Sequence, residues 1–390
     1  MPMVQLVSVI TIYCNSRAVL RLGLFPIVLS VLPHVAADFE VVRQYELPPE
    51  EVEVVYPLDV DCDAKGNVVL LEGHTQKVHL WSADGRFKAT CGGKGQGPGE
   101  VNGLIRIALG QDSVYGFQYP GPIMVWPRTA TGFESPNKVR RLRLKVPFAQ
   151  VFQVFRHSDG GERLLLGGQE RQSDGKGTMT WRIIDPNTST VFKWSHLEER
   201  PVEPIWDLFS ADGTQDLRVC QPRLWAAQID SRQIMLGFSE QQRFHVVSPV
   251  GKILKSFKVR LPTPPPSDEE VKAFRSYPIP MILKSLDELG ISIGIDKDQP
   301  KAAYSFFVPL DGDRILFINS IFGGFNNVNY VQSGDSYLVF DRRLGDVAAR
   351  GKLEMGESDQ LFPKDRRLIR TRFDDEDRLI LEEVALRGNQ

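Results

Sequence analysis

A glycine-rich stretch, CGGKGQGPGEVNG at residues 91–103, could do chemistry, because loops of this kind can cradle phosphate groups. The P-loop pattern GxxxxGK continues with Ser or Thr, whereas Gly93 and Lys94 are followed by Gly95. The dinucleotide pattern GxGxxG, begun at Gly95, would need glycine where Glu100 stands. Both patterns also precede a helix, whereas the next residues, VNGLIRIALGQDSVYGF, alternate like a strand. The loop is therefore predicted to turn the chain and not to bind a nucleotide.

Three carboxylates at alternate positions, Asp59, Asp61 and Asp63 in DVDCDAKG, could bind calcium. Alternate residues of a strand share one face. An EF-hand loop, however, has glycine at its sixth position, and counting from Asp59 that position is Ala64. The favoured interpretation is a solvated strand end that runs into an Asp-Gly turn.

Other catalytic patterns are absent from the sequence. No two histidines have i, i+4 spacing, and the nucleophile elbow GxSxG does not occur. No cysteine belongs to a CxxC motif or a Cys/His cluster, so zinc and dithiol chemistry are not indicated. Cys62 and Cys91 are placed on the inner and outer strands of one sheet, too far apart for a disulfide.

The elements that must position any site are short strands separated by polar turns such as DAKGN, SADGR and SPVGK. This pattern predicts an all-β protein, and its recurrence at several tens of residues predicts a six-bladed β-propeller. A seventh blade would have to be hidden in PVEPIWDLFSADG. The strand FEVVRQYEL lacks a hairpin partner and is expected to close the ring by pairing with the short last group. The six groups start near Leu58, Leu104, Gln150, Arg223, Tyr304 and Leu368.

Residues 59–108 resemble one blade of the NHL-repeat-like propellers, many of them secreted bacterial proteins. The resemblance is carried by Asp63 and Gly66 in the first turn, Trp81 in the third strand, Gly85 in the next turn, and the tail GPGE. Val101 stands where the family usually has Phe. The resemblance implies a six-bladed ring in which the glycine tail crosses from one blade to the next.

The first 37 residues are predicted to be a signal peptide. Arg17 and Arg21 precede the apolar run 22–37, which ends in small residues, with Val35 and Ala37 at the −3 and −1 positions. An uncleaved anchor is the alternative. Residues 38–390 are then a single propeller domain, exported to the periplasm or the extracellular space. The net charge of −2 gives no reason to expect nucleic-acid binding or stable membrane insertion of the mature chain.

Residues 262–303 break the strand pattern and are predicted to be a helical insertion between blades 4 and 5. Ser267 and Glu270 form a capping box, and Gly290 is a stop signal. Two short helices are expected over one face of the ring, with a pocket between them and an aromatic stretch. The residues expected to line it are Phe274 and Tyr277 of the insertion and Phe306, Phe307, Phe322 and Phe325 of the stretch.

Polar residues are also expected on the innermost strands, beside the central channel. Several guanidinium groups there would bind a carboxylate or sulfate. The alternative, charges at strand ends that point to water, is favoured. The side chains concerned are Arg106, Gln153, Arg156, Arg223, Arg370 and Arg372, with Arg223 or Arg372 at the floor of the pocket.

Two functions follow from this organisation. The first is an exported binding module for a small molecule, peptide or protein, with no cofactor. The second is a propeller enzyme, a lyase or hydrolase, with a metal-assisted site in the channel. The binding module is favoured because no catalytic motif is present in the sequence.

Overall fold

The computed structural model describes most of the chain from Phe39 to Leu386. The described residues are 39–50, 52–118, 121–144, 148–156, 160–171, 177–193, 200–202, 214–218, 224–230, 232–239, 242–263, 265–268, 271–272, 292–296, 302–311, 313–320, 331, 334–356 and 359–386. Within them, no helix has the length and apolar character needed to cross a bilayer. The predicted signal peptide lies outside these ranges.

Six antiparallel sheets of four or five strands form the blades of a propeller, as predicted. Blade 1 contains β2 (Pro57–Cys62), β3 (Val68–Glu72), β4 (Lys77–Trp81) and β5 (Phe87–Gly92). Blade 2 contains β6 (Leu104–Leu109), β7 (Ser113–Gln118), β8 (Ile123–Thr129), the short β9 (Gly132–Phe133), a 3₁₀ turn (Pro136–Lys138) and β10 (Arg140–Leu142). Blade 3 contains β11 (Phe148–Arg156), β12 (Glu162–Arg171), β13 (Gly177–Asp185), β14 (Thr190–Lys193) and β15 (Arg200–Val202).

The remaining blades have four strands each. Blade 4 contains β17 (Leu224–Asp230), β18 (Gln233–Phe238), β19 (Arg243–Val247) and β20 (Ile253–Lys258). Blade 5 contains β22 (Phe306–Pro309), β23 (Arg314–Asn319), β24 (Ser336–Asp341) and β25 (Asp346–Lys352). Blade 6 contains β26 (Gln360–Lys364), β27 (Arg367–Phe373), β28 (Leu379–Leu386) and β1 (Phe39–Gln44). Outside the blades, β16 (Thr214–Arg218) and β21 (Ser292–Asp296) form a parallel pair.

The ring closes through its two chain ends. Strand β1 is the outer strand of blade 6 and pairs antiparallel with β28, with Phe39 opposite Leu386 and Glu40 opposite Ala385. Neighbouring innermost strands contact one another all the way round, from β2 through β6, β11, β17, β22 and β26 back to β2. The predicted closure by the unpartnered first strand is confirmed.

The predicted start of the last blade at Leu368 is wrong. Its innermost strand is β26, and Leu368 lies on the second strand, β27. The turn between them is formed by Asp365 and Arg366, and Asp365 has a φ of 50°. Because this turn has no glycine, unlike the Asp-Gly turns elsewhere, the sequence pattern did not reveal it. Blade 6 thus has three strands from the C-terminal part of the chain, not two.

The inner strands are buried on both faces because each blade packs between two others. All six residues of β6 are buried, and the cluster between blades 1 and 2 joins Val69 and Leu71 to Ile107 and Met124. This explains why strands such as NVVLLE are continuous apolar runs and do not alternate.

A glycine beneath an aromatic ring recurs in the second strands of blades 2, 3 and 4. A Cβ atom at each of these glycines would lie less than 3 Å from a ring carbon of the third strand of the same blade. Such pairing fills the space over a glycine with aromatic surface. The pairs are Gly116 with Trp126, Gly167 with Trp181, and Gly237 with Phe244.

The segment predicted as a helical insertion follows β20 and precedes β22. Its described residues include three helical positions, at Asp268, Val271 and Lys272, and the N–H of Val271 donates to the carbonyl of Ser267. Strand β21 also lies in this segment. Most of the two predicted helices falls outside the described ranges.

The two cysteines of blade 1 are not bridged. Cys62 ends the innermost strand β2, Cys91 lies on the outermost strand β5, and both thiols are free. This confirms their predicted separation.

Candidate functional site

Two buried carboxylates join blade 1 to blade 2 near the central axis. Asp59 accepts a hydrogen bond of 2.8 Å from the main-chain N–H of Ile107, and Asp61 accepts one of 2.6 Å from that of Leu109. The innermost strand of a blade has an open edge, so its amides need partners from elsewhere. The predicted solvated strand end is therefore wrong for these two residues. The predicted turn is confirmed at Asp63, which accepts from the main-chain N–H groups of Lys65 and Asn67.

Asp59 also forms an ion pair with a cation of blade 6 and interacts electrostatically with a cation of blade 2. Nζ of Lys364 in blade 6 lies 3.2 Å from Oδ1 of Asp59, and both side chains are buried. Arg106 of blade 2 is 3% exposed. Burial lowers the pKa of Arg106 to about 10, and the negative charge of Asp59 opposes that shift. The favoured prediction that Arg106 points to water is therefore wrong.

The turn after β26 reaches across the axis. Oδ1 of Asp365 accepts hydrogen bonds from the main-chain N–H of Gln228 at 2.7 Å and from Nε2 of Gln153 at 3.3 Å. Nε2 of Gln153 also lies 2.9 Å from the carbonyl oxygen of Ala226. One residue of blade 6 is thus bonded to blades 3 and 4.

Two axial carboxylates have pKa values near neutrality. Burial raises the pKa of Asp61 from 3.8 to about 7, and the charge of Lys364 opposes this shift while that of Asp365 adds to it. Burial likewise raises the pKa of Asp365 to about 6, against the hydrogen bond from Gln228 and the charges of Lys364 and Arg367. Among the residues with described positions, no three His, Cys, Asp or Glu side chains are arranged to hold a metal ion.

The predicted site residues are only partly brought together. Arg106 and Gln153 lie on innermost strands, as expected. Arg370 and Arg372 do not, because both lie on the second strand β27 and donate to the carboxylate of Glu382 on β28. Arg223, Phe274, Tyr277, Phe322 and Phe325 lie outside the described residues.

The predicted aromatic wall of a pocket is wrong for its two described members. Phe306 and Phe307 are fully buried and pack in one core cluster with Trp225 and Tyr304. A strand on the inner edge of a blade has neighbouring blades on both sides, which leaves no open face for an aromatic side chain.

The glycine-rich loop turns the chain from blade 1 to blade 2, as predicted. The N–H of Val101 donates to the carbonyl of Gly93, and the N–H of Gly95 donates to the carbonyl of Val101. Gly92 has a φ of 76°, and a Cβ atom there would lie 3.0 Å from the carbonyl oxygen of Gln76. This close approach in the left-handed region requires glycine.

An open pocket of about 610 Å³ lies beside this loop, where β6 begins and β7 ends. Sequence reasoning did not find it, because its walls come from the loop, the β7–β8 turn and the edge of β10. The sequence contained one signal, the basic run RRLRLK at residues 140–145, whose first three residues form the edge strand β10. The lining residues are Gly95, Gln96, Glu100, Val101, Asn102, Gln118, Gly121, Pro122, Arg141, Arg143 and Leu144.

Hydrogen bonds fix several of the polar groups around this pocket. Arg141 donates to the carbonyl oxygens of Gly97 and Glu100, at 3.0 and 3.3 Å. The carboxylate of Glu100 accepts from the N–H of Gly97 at 2.7 Å. Oε1 of Gln118 lies 3.3 Å from the main-chain nitrogen of Asn102. These hydrogen bonds hold the loop in place along one wall of the pocket.

Comparison with known proteins supports the fold and goes no further. No protein-family model and no curated protein matches the chain, so the NHL-type resemblance stays an expectation. A "putative exported protein" of Bacteroides fragilis is 11% identical, with a TM-score of 0.51, over 90% of this chain and 96% of that one. The PQQ-bound aldose sugar dehydrogenase of Streptomyces coelicolor is 13% identical over 91% and 100% of the two chains, with a TM-score of 0.43. Virginiamycin B lyase of Staphylococcus aureus is 11% identical over 90% of each, with a TM-score of 0.37.

Proposed function

We propose that this protein is an exported β-propeller that binds a small polar molecule in the pocket beside the glycine-rich loop. The observation that carries the proposal is the pocket itself. Its volume of about 610 Å³ is within the range of roughly 300–1,000 Å³ that is typical of small-molecule sites. Its walls are preformed, because hydrogen bonds of Arg141 and Glu100 fix the loop, and a preformed site loses little entropy when it binds.

A ligand screen with a blocking variant tests this proposal. Neutral sugars, sugar acids, amino acids and dipeptides are screened against the purified full chain by saturation-transfer NMR and thermal shift. Gln96 is exposed and lines the pocket, so Gln96→Trp should fill part of it and weaken every true ligand. Lys65→Trp, at an exposed turn of blade 1, is the matched control. Ligands that bind Gln96→Trp unchanged, or no ligand at all, would contradict the proposal.

Export is the second part of the proposal and has its own test. The motivation is the signal-like run that ends at Ala37, two residues before the first strand of the ring begins at Phe39. Expression with the native N-terminus in a Gram-negative host, followed by fractionation and N-terminal sequencing, should give a periplasmic chain that begins at Asp38. A cytoplasmic chain that retains residues 1–37 would contradict export.

The enzyme alternative has one observation in its favour. Asp61 and Asp365 are axial carboxylates with pKa values of about 7 and about 6, and proton-transfer groups work best when their pKa lies near the operating pH. In that alternative they serve as the acid and the base of a lyase or hydrolase. Elemental analysis of the purified full chain tests for its metal. Turnover of any screened ligand that is lost in Asp61→Asn would favour the enzyme.

A further inference from the structure

We infer that the ligand of the pocket beside the glycine-rich loop carries an oxyanion, a carboxylate or a phosphate, and that Gln118 and Arg143 bind it. This inference rests on the proposed function and narrows it to one class of ligand. It is carried by the donors that the pocket presents and by the charge of its lining.

Gln118 presents hydrogen-bond donors from the wall of the pocket. The side chain is 7% exposed. The main-chain N–H of Asn102 needs an acceptor, so the amide oxygen of Gln118 must face it, and the hydrogen bond of 3.3 Å fixes the orientation of the amide. Nε2 has no protein acceptor among the described residues, and Gln118 is one of the residues that line the pocket. An amide donor that reaches the pocket without a protein acceptor is satisfied by an acceptor atom of a ligand or by water.

Arg143 adds a positive charge to the same wall. It is exposed, it lines the pocket, and within the described part of the chain it has neither a hydrogen bond nor a carboxylate partner. Arg141, two residues earlier, differs, because its guanidinium donates to the carbonyl oxygens of Gly97 and Glu100. Arg141 thus holds the loop in place, and Arg143 remains available to a ligand.

The charge of the lining favours an anion. The lining includes two guanidinium groups and one carboxylate, that of Glu100. The Glu100 carboxylate already accepts the N–H of Gly97, which leaves it less able to attract a cation. A planar guanidinium next to an amide donor matches the paired oxygens of a carboxylate or a phosphate.

Four probes of similar size separate this inference from the proposed function. Glucose, glucosamine, glucuronate and glucose 6-phosphate share a ring but differ in charge, and each is titrated into the full chain by calorimetry. Glucuronate, glucose 6-phosphate or both should bind at least tenfold more tightly than the neutral and cationic sugars. The ratio between the two anions then shows whether the site prefers a carboxylate or a phosphate.

Variants test whether the two named residues bind the anion. Arg143→Gln and Gln118→Glu should each lower the affinity for the anion about tenfold or more, since each removes a hydrogen-bond donor to a charged group. Gln118→Glu keeps the shape and the acceptor for Asn102 but replaces the donor with a negative charge. Gln118→Met keeps the length of the side chain but has no hydrogen-bond donor. It therefore shows whether the loss of affinity occurs without the added negative charge. Arg232→Gln, at an exposed turn of blade 4, is the matched control and should change nothing.

The possible failures differ in meaning. If glucosamine or glucose binds as tightly as the anions and Gln96→Trp blocks it, the oxyanion inference is overturned and the binding module stands. If an anion binds but Arg143→Gln and Gln118→Met leave its affinity unchanged, these residues are not its site and the inference is overturned. If none of the four sugars binds, the inference is overturned as well, and the fate of the proposed function is decided by the wider screen.

Discussion

Lys364 and Asp59 form a buried ion pair of 3.2 Å that joins the last blade of the ring to the first. The same carboxylate accepts the N–H of Ile107 from blade 2. Three blades therefore meet at one buried side chain. The pair also lies where the inner strands β2 and β26 of the first and last blades are in contact.

The first prediction concerns this pair. Lys364→Met should lower the free energy of unfolding by about 3–5 kcal/mol, because it leaves the charge of Asp59 buried with one partner fewer. Asp59→Asn combined with Lys364→Met removes both charges and should recover a large part of that loss. Denaturant unfolding of the two single variants and the double variant measures the coupling. A loss below about 0.5 kcal/mol in Lys364→Met would show that the pair does not stabilise the ring.

The second prediction concerns pH. The folded state holds the proton of Asp61 more tightly than the unfolded chain does, since burial raises its pKa from 3.8 to about 7. The stabilising contribution of this proton is complete below about pH 4 and is lost as the pH rises through 7, by up to about 4 kcal/mol at 1.36 kcal/mol per unit. Asp61→Asn should remove that slope and be more stable than the native chain at pH 8.

The measurement for this second prediction is the free energy of unfolding between pH 4 and pH 8. Asp311→Asn is the comparison, because hydrogen bonds from Asp313 and Arg314 lower the pKa of Asp311 to about 2 despite some desolvation. Its contribution has the opposite sign and lies at lower pH. Equal slopes for the native chain and Asp61→Asn would contradict the prediction.

The third prediction concerns the glycine beneath Trp181. Gly167→Ala should destabilise the protein by about 1–3 kcal/mol, because the added Cβ would lie 2.4 Å from the six-membered ring of Trp181. Phe has one ring where Trp has two fused rings, so Trp181→Phe should make room for the Cβ atom of alanine at position 167. The double variant should then be less destabilised than the sum of the single variants, as thermal and denaturant unfolding can measure. Additive effects would mean that this contact is not the cause.

The fourth prediction concerns the closure of the ring by β1 and β28. Glu40 and Ala385 are directly opposite each other and only partly buried, which places their Cα atoms within the reach of a disulfide. A Glu40→Cys and Ala385→Cys pair should form a disulfide and raise the stability by up to about 5 kcal/mol, because it closes a very long loop. The melting temperature of the oxidised and reduced forms gives the gain. An oxidised form that melts at the same temperature would show that this pairing does not limit unfolding.

Much of the fold could be predicted from local patterns. The turn DAKGN and the run NVVLLE define a hairpin by themselves, and the unpaired strand that begins at Phe39 could be assigned to the last blade because a ring needs every edge covered. The start of blade 6 could not, since its first turn has Asp365 in the left-handed region, where blades 1 and 3 have Gly66 and Gly160.

The candidate sites were harder to predict for a different reason. Whether Asp59 faces water or a neighbouring blade depends on which amide lies opposite it, and Ile107 is 48 residues away along the chain. The pocket likewise depends on three segments that meet only when blades 1 and 2 pack together. Residue type indicated that Arg141 and Arg143 were both cationic, but only the fold distinguishes the one that holds the loop from the one that is available.

Asp365 also determines how the ring can deform. Its hydrogen bonds connect blade 6 with blades 3 and 4 on the opposite side of the ring. The ring can widen along that direction only if these bonds break. The pocket lies where β6 begins at Leu104, whereas Asp61 accepts a hydrogen bond from Leu109 at the other end of that strand and interacts electrostatically with Asp365. A ligand beside the glycine-rich loop would therefore bind to a ring whose widening is resisted by these two hydrogen bonds. We therefore expect ligand binding to change the conformation of nearby loops more than the diameter of the ring.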